Sequence, residues 1–290
     1  MKLLKRHAII TGANQGLGLA IAEEFVKEGA SVVICARNAL KLNNVAQKLN
    51  RFINNDEQQV IAVPADVSNE NDVKHLTKVS IRELNRVDIL VNNAGVQGPL
   101  GLVENNKSQD WIKTVEINLF GVFFTSKSII PHMKANRYGK IINLSGGGAT
   151  SPRPRVSAYA AAKAAVVRLT ETLAEEYREF NIDINAIAPG ALNTRMLEDV
   201  LEAGAEVIGE NIFESALQQK NDGGIPLEQG ASLCAYLASS VSDGISGKLI
   251  SAVWDPWENL HNYVKPLQRT DIFTLRRIIP EDREQTWKSE

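Results

Sequence analysis

A tyrosine and a lysine four residues apart, Tyr159 and Lys163 in "SAYAAAKAA", share one face of any helix that carries them. A phenol with a pKa near ~10 exchanges protons poorly at neutral pH. An ammonium close by favours the phenolate and lowers that value. Such a pair can give a proton to a carbonyl oxygen or take one from an alcohol. Taken alone, Tyr-x-x-x-Lys is also an ordinary surface-helix pair. A second cluster gives it weight: "AIITGANQGLGLAIAEEF" sets Gly12, Gly16 and Gly18 between a β-branched run and an amphipathic stretch. Glycines there let the backbone turn sharply beside a ligand. A helix starting near Gly16 would offer free N–H groups and a positive dipole end to a phosphate. Without the later motifs, a tight turn with no ligand explains the glycines equally well.

These residues need a frame. Short runs rich in β-branched residues read as strands at His7–Thr11, Ser31–Cys35, Gln59–Val63, Asp88–Asn92, Lys140–Leu144, Asp183–Ile187 and Lys248–Val253. Most are nearly continuous apolar runs, as strands covered on both faces should be. Helical patterns lie between them, among others over Leu17–Lys27, Asn71–Leu84, Gln109–Lys134 and Ala158–Phe180. This alternation predicts an α/β fold: one doubly wound domain with a seven-stranded parallel sheet and helices on both faces. Residues 191–222, helical and polar, and the tail 255–290 fall outside the alternation.

Composition narrows the function classes. The chain has 290 residues, 44% hydrophobic and 23% charged, enough to bury a substantial core. A net charge of −2 argues against a general nucleic-acid binder. Cys35 and Cys234 sit far apart in apolar surroundings and read as buried thiols of a reducing compartment. "MKLLKRHAIITG" lacks the apolar region and cleavage site of a secretion signal, and no run approaches the ~20 apolar residues of a membrane span. A cytoplasmic protein without membrane or nucleic-acid partners is the expectation. His132 and His261 have no Cys or Asp partner at metal spacing, so no metal site is expected.

The turn spacing is Thr-Gly-x-x-x-Gly-x-Gly. With "NNAG" at Asn92–Gly95, Asp66 in "PADVS", Asn118 in "VEINLFG", Tyr159-x-x-x-Lys163 and "APGALNT" at Ala188–Thr194, the chain resembles the short-chain dehydrogenase/reductase family from about residue 5 to 255. The resemblance implies a Rossmann-type domain at 1–257 with a substrate lid at about 191–222. Residues 258–290 would then be a C-terminal extension packing on the domain or on a neighbouring subunit. It also implies a homotetramer or homodimer built on two long helices. The implied dinucleotide site holds the turn Gly12, Asn14, Gln15, Gly16, Leu17 and Gly18. Asp66 and Val67 would border the adenine, with Asn93, Ala94 and Gly95 beside the adenosine. Pro189, Gly190 and Thr194 would lie over the nicotinamide and diphosphate. Tyr159 is the implied acid/base, Lys163 would also hold the nicotinamide ribose, and Asn118 would hold a relay water behind Lys163.

The residue ending the second strand separates NAD from NADP, because a carboxylate there binds ribose hydroxyls and repels a 2′-phosphate. Here that position is Ala36, followed by Arg37, whose fork can hold a phosphate. NADP(H) is therefore favoured over NAD(H), although Gln15 stands where NADP-preferring relatives often carry a basic residue.

One part is missing. The family's serine stands thirteen residues before the tyrosine, and here that place is Gly146, with Ser145 one residue early in "LSGGGAT". Losing a polarising donor costs about 10²–10³ in rate. Ser145 could swing in as a fourth catalytic residue, a backbone N–H of Gly147 or Gly148 could serve, or the substrate could bring its own hydroxyl or water. In the adjacent loop, Arg153 and Arg155 either bind an anionic substrate group or simply face solvent. Trp254, Trp257, Tyr263 and Phe273 of the tail either pack on a neighbour or wall the pocket.

The favoured function is interconversion of a carbonyl and a secondary alcohol, the substrate being a small molecule, anionic or sugar-like. The alternatives are a sugar-nucleotide epimerase or dehydratase that retains NAD, and a cofactor-binding regulator with weakened catalysis.

Overall fold

The computed structural model describes residues 1–287. In chain order the elements are β1 (His7–Thr11), α1 (Gly16–Lys27), β2 (Ser31–Ala36), α2 (Ala39–Leu49), β3 (Val60–Pro64), α3 (Glu70–Leu84) and β4 (Ile89–Asn92). There follow α4 (Ser108–Val115), α5 (Gly121–Asn136), β5 (Gly139–Leu144), α6 (Ser157–Tyr177) and β6 (Ile182–Ala188). The chain continues through α7 (Arg195–Ile208), α8 (Glu210–Asn221), α9 (Leu227–Ala238), β7 (Leu249–Ser251) and α10 (Val264–Arg269). The sheet has seven strands in the order β3-β2-β1-β4-β5-β6-β7, every pair parallel. This is the doubly wound α/β architecture that the strand–helix alternation predicts.

Side-chain alternation splits each central strand between two cores. Ala8 and Ile10 of β1 and Val32 and Ile34 of β2 join one cluster with Phe25 of α1 and Leu237 of α9. Ile9, Val33 and Cys35 face the other, with Leu76 of α3, Ile129 of α5 and Ala174 of α6. Cys35 and Cys234 are both free and buried, and burial pushes the Cys35 thiol up to about 12.

Several boundaries differ from the sequence reading. The expected helix 109–134 is two helices joined by a π turn at Glu116–Phe120. Asn118 lies in that turn, where its side chain bonds backbone groups outside the helical ladder. β7 stops at Ser251 and not at Val253. The Ser251 hydroxyl accepts the N–H groups of Val253 and Trp254, and the Asp255 carboxylate accepts that of Ser251, so the chain turns there. Residues 191–222 form the α7–α8 pair, with a kink at Gly204 and a small core of Val200, Ile208 and Ala216.

The tail packs on its own domain. Leu260 and Leu267 are buried, and the Trp257 ring lies 5.7 Å from that of Tyr236. Trp254 and Tyr263 are exposed, and none of the four tail aromatics lines the main cleft. Residues 288–290 of the extension lie outside the described residues. Among the described residues, no helix is long and apolar enough to cross a membrane.

Candidate active site

The strand order reverses between β1 and β4, so the loops leaving their C-terminal ends diverge and open a crevice. A cleft of about 970 Å³ occupies it. The turn residues Gly12, Asn14, Gln15, Gly16, Leu17 and Gly18 line it, with Arg37 after β2, Asp66 and Val67 after β3, and Asn93, Ala94 and Gly95 after β4. Ser145, Tyr159, Lys163, Pro189 and Thr194 also line it, together with Leu192, Met196 and Asp199 at the start of the 191–222 segment. Two expected site residues do not face it. Gly190 backs onto Val253 and Ile225, and Asn118 is fully buried behind Gly95.

The turn is built for close approach. Gly12 has φ +65°, and a Cβ there would lie 2.8 Å from the Ala94 Cα. A Cβ on Gly18 would overlap the Gly12 carbonyl. Asn93 Nδ2 donates to the carbonyls of Thr11 at 2.9 Å and Gly12 at 3.1 Å. Thr11 Oγ1 accepts the N–H groups of Asn93 at 3.0 Å and Ala94 at 3.1 Å. The Asn-Asn-Ala-Gly segment thus clamps the glycine turn as well as lining the cleft. At the start of α1 no side chain caps the helix and no acidic residue stands in the first turn. Its first N–H groups therefore remain available to a diphosphate. The cradle fits a dinucleotide.

Tyr159 and Lys163 lie in the first turns of α6, both buried. Lys163 Nζ donates to the Leu144 carbonyl at 2.6 Å and lies 5.6 Å from the Tyr159 ring centre. Burial pushes the Lys163 ammonium down to about 8. Burial also raises the Tyr159 phenol, and the charge that opposes this is that of Arg153. The sequence reading has the lysine ammonium lower the phenol; in the fold the lysine is itself desolvated. A Cβ on Gly95 would lie 2.6 Å from Asn118 Oδ1 and 3.7 Å from Lys163 Nζ, so the asparagine and the lysine both lie against the space where that glycine has no side chain. Asn118 Nδ2 donates to the carbonyls of Val96 and Thr114, each at 2.9 Å, and its Oδ1 accepts from Val96 N at 3.3 Å.

The family model described as short chain dehydrogenase matches residues 6–204. The chain belongs to the short-chain dehydrogenase/reductase family. It is accordingly an NAD(P)-dependent oxidoreductase. It is 34% identical over 245 residues to "Dehydrogenase/reductase SDR family member 4" of Caenorhabditis elegans, covering 84% of this chain and 92% of the relative. Among solved structures it is similar to levodione reductase, with a TM-score of 0.78, 29% identity and coverage of 86% and 96% of the two chains. It is likewise similar to NAD+-bound xylitol dehydrogenase, with a TM-score of 0.78, 25% identity and coverage of 87% and 98%.

Against this family the departure at residue 146 has a structural consequence. A Cβ built on Gly146 would overlap the Tyr159 hydroxyl and lie 3.3 Å from its Cζ. Ser145 Oγ is buried and has no hydrogen-bond partner, although its residue lines the cleft. Gly147 and Gly148 are not part of that lining, and the Arg153 side chain lies over them. Of residues 145–148, Ser145 is the one that lines the cleft.

Beside the glycine turn lies a cation that the sequence reading did not name, Lys41. Its ammonium bonds Gln15 Oε1, and its N–H is capped by Asn38 Oδ1 at 2.9 Å. It stands in the first turn of α2, and no spacing in the sequence ties it to the glycine turn. Asp66 accepts both the N–H and the hydroxyl of Ser68. Burial pushes its carboxyl up, but the Ser68 bonds and the charges of Lys113 and Arg37 hold it below the usual range.

The loop arginines divide. Arg155 Nη1 donates to the Val207 carbonyl at 2.9 Å and its own carbonyl accepts Gly101 N, so it ties α7 to the loop after β4. Neither it nor Arg153 lines the cleft. His132 accepts the Val87 N–H at 3.1 Å, a structural bond. Among the described residues no group of three or more His, Cys, Asp or Glu could hold a metal.

Proposed function

We propose that the protein interconverts a carbonyl and a secondary alcohol with NADP(H), using Tyr159 as the proton donor and acceptor. The observation that carries this reading is the buried Tyr159–Lys163 pair on the wall of the dinucleotide cleft, beside a serine hydroxyl with no other partner. When bound, the dinucleotide supplies or accepts the hydride at nicotinamide C4. Ser145 Oγ–H points a donor at the substrate oxygen and polarises it. Tyr159 Oη–H delivers the proton to that oxygen in reduction and takes it back in oxidation. Lys163, held by the Leu144 carbonyl, would hold the nicotinamide ribose, and Asn118 fixes the backbone of Val96. Burial of both groups excludes water from the reacting centre.

The phosphate preference rests on Ala36, which removes the carboxylate, and on Arg37 and Lys41, which place two cations beside the turn. The substrate is a small molecule, for which an anionic or sugar-like carbonyl compound is the working class. Residues 1–257 act as the catalytic domain, with 258–290 as an extension. We infer a cytoplasmic homo-oligomer: Ile112, Phe120 and Phe123 on α4, the π turn and α5 expose apolar surface on one helical stretch. Light scattering on the purified protein tests that state.

The activity test is a screen of ketones, alcohols and sugar nucleotides with NADPH, NADP, NADH and NAD, read by nicotinamide absorbance. Turnover that Tyr159→Phe abolishes supports the reading. Turnover that survives Tyr159→Phe, or absence of dinucleotide binding by calorimetry, overturns it.

A further inference from the structure

The glycine turn that follows β5 carries the catalytic geometry yet has little of its own to hold it. Three successive glycines, Gly146 to Gly148, have no side chains to pack, and such a segment loses more freedom on ordering than any other. Its internal support is a single backbone bond, Ala149 N to the Gly146 carbonyl at 3.2 Å. Support must come from elsewhere.

The C-terminal extension supplies it. Lys248, just before β7, is buried, and its ammonium donates to the carbonyls of Thr270 at 3.0 Å and Ile272 at 2.9 Å. A buried ammonium without such partners would be costly, so the tail and this lysine stabilise each other. The N–H of Leu249 in β7 donates to the Phe273 carbonyl at 2.8 Å, which occupies part of the outer edge of the sheet. At Leu275 the N–H donates to Glu171 Oε1 at 2.6 Å and the carbonyl accepts from the Arg168 guanidinium. Both partners sit on α6, the helix that carries Tyr159 and Lys163. The Leu275 side chain packs, with Leu249, on a small cluster formed by Ala149, Val167 and Ala186. Ala149 is the end of the glycine turn, Val167 is one helical turn beyond Lys163, and Ala186 is on β6.

We infer that residues 270–275 form a strap that positions the catalytic turn, with Leu275 as the positioning residue. The strap joins the edge strand, the catalytic helix and the loop bearing Ser145 in one packed unit. This rests on the reading of Ser145 and Tyr159 as the reacting groups. Misplacement of such groups by about 1 Å costs on the order of 10²-fold in rate.

The test compares the full chain with Leu275→Ala, Leu275→Met and a chain ending at Arg269. Hydrogen exchange of the peptide spanning Asn143–Val156 is followed without substrate. The strap predicts faster exchange in that peptide for Leu275→Ala and for the shortened chain, with Leu275→Met near the parent. On any carbonyl substrate found, kcat falls about tenfold or more for Leu275→Ala, while the Kd for NADPH is unchanged. Should the shortened chain fail to fold, Leu275→Ala decides. Unchanged exchange in the peptide, or an increase spread evenly over the whole chain, overturns the strap. The exchange result needs no turnover, so it stands apart from the Tyr159→Phe test of the reaction itself.

Discussion

The hydroxyl of Tyr159 occupies the position that a side chain on residue 146 would fill. Glycine at 146 is therefore more than a lost donor: the phenol has settled into the vacated space. Restoring the family's serine there would push the tyrosine away from its buried seat. Gly146→Ser and Gly146→Ala are both expected to lower kcat/KM, by about 10–100-fold, the range for a misplaced catalytic group. A rise in kcat/KM for Gly146→Ser in steady-state assays would show that the site lacks a donor and that the overlap is easily relieved.

Ser145 carries the complementary prediction. Its Oγ is buried without a hydrogen-bond partner while its residue lines the cleft, so the proposed role requires the hydroxyl to rotate toward a substrate oxygen. Removing it in Ser145→Ala should cost about 10²–10³ in kcat, the magnitude for a lost polarising donor. The KM for NADPH should stay at the parental value, because the proposed bond is to the substrate oxygen and not to the coenzyme. Full activity in Ser145→Ala would assign the polarising role to a backbone N–H or to the substrate.

Much of this site was legible in the sequence because its parts are local. The glycine turn announces itself by residue type, since at Gly12 and Gly18 any Cβ would meet backbone. Tyr159 and Lys163 are fixed to one face by helical spacing alone. What could not be read depends on tertiary placement. The phenol's acidity follows from burial and the position of Arg153, which no spacing reveals. In the sequence Arg155 either binds substrate or faces solvent, and neither reading foresees its bond to Val207, more than 50 residues away. The end of β7 escaped because Ser251 and Asp255 turn a chain whose residues still look like a strand. The tail's contacts with α6 span over 100 residues and leave no periodic trace.

The proposed preference for NADP(H) rests on Arg37 and Lys41. Arg37 lines the cleft and Lys41 is anchored to Gln15 of the phosphate turn, which puts two cations beside the place proposed for a 2′-phosphate. A hydrogen bond to a charged group contributes about 1.5–3 kcal/mol. Arg37→Ala and Lys41→Ala should therefore each raise the KM for NADPH by about 10–100-fold. The KM for NADH should move little. Parallel initial-rate measurements with the two coenzymes decide, and a parental preference for NADH would remove the basis for both.

Lys163 makes a prediction that needs no substrate. Its pKa falls from 10.5 to about 8 on folding because burial disfavours the charge. Between those values the unfolded chain holds a proton that the folded chain has released. Stability from this site therefore rises with pH through that window and is lowest below about 8, where the buried group must carry its charge. At ~1.4 kcal/mol per pH unit, the span amounts to roughly 3 kcal/mol. Lys163→Met removes the titration but leaves the Leu144 carbonyl without its donor, a loss that does not vary with pH. Urea unfolding without dinucleotide should then show the stability of the parent, relative to Lys163→Met, increasing by about 1–2 kcal/mol between pH 7.5 and 9.5. A difference that stays flat across this interval would mean that the lysine keeps an ordinary pKa in the folded protein, and that its ammonium remains solvated behind the tyrosine.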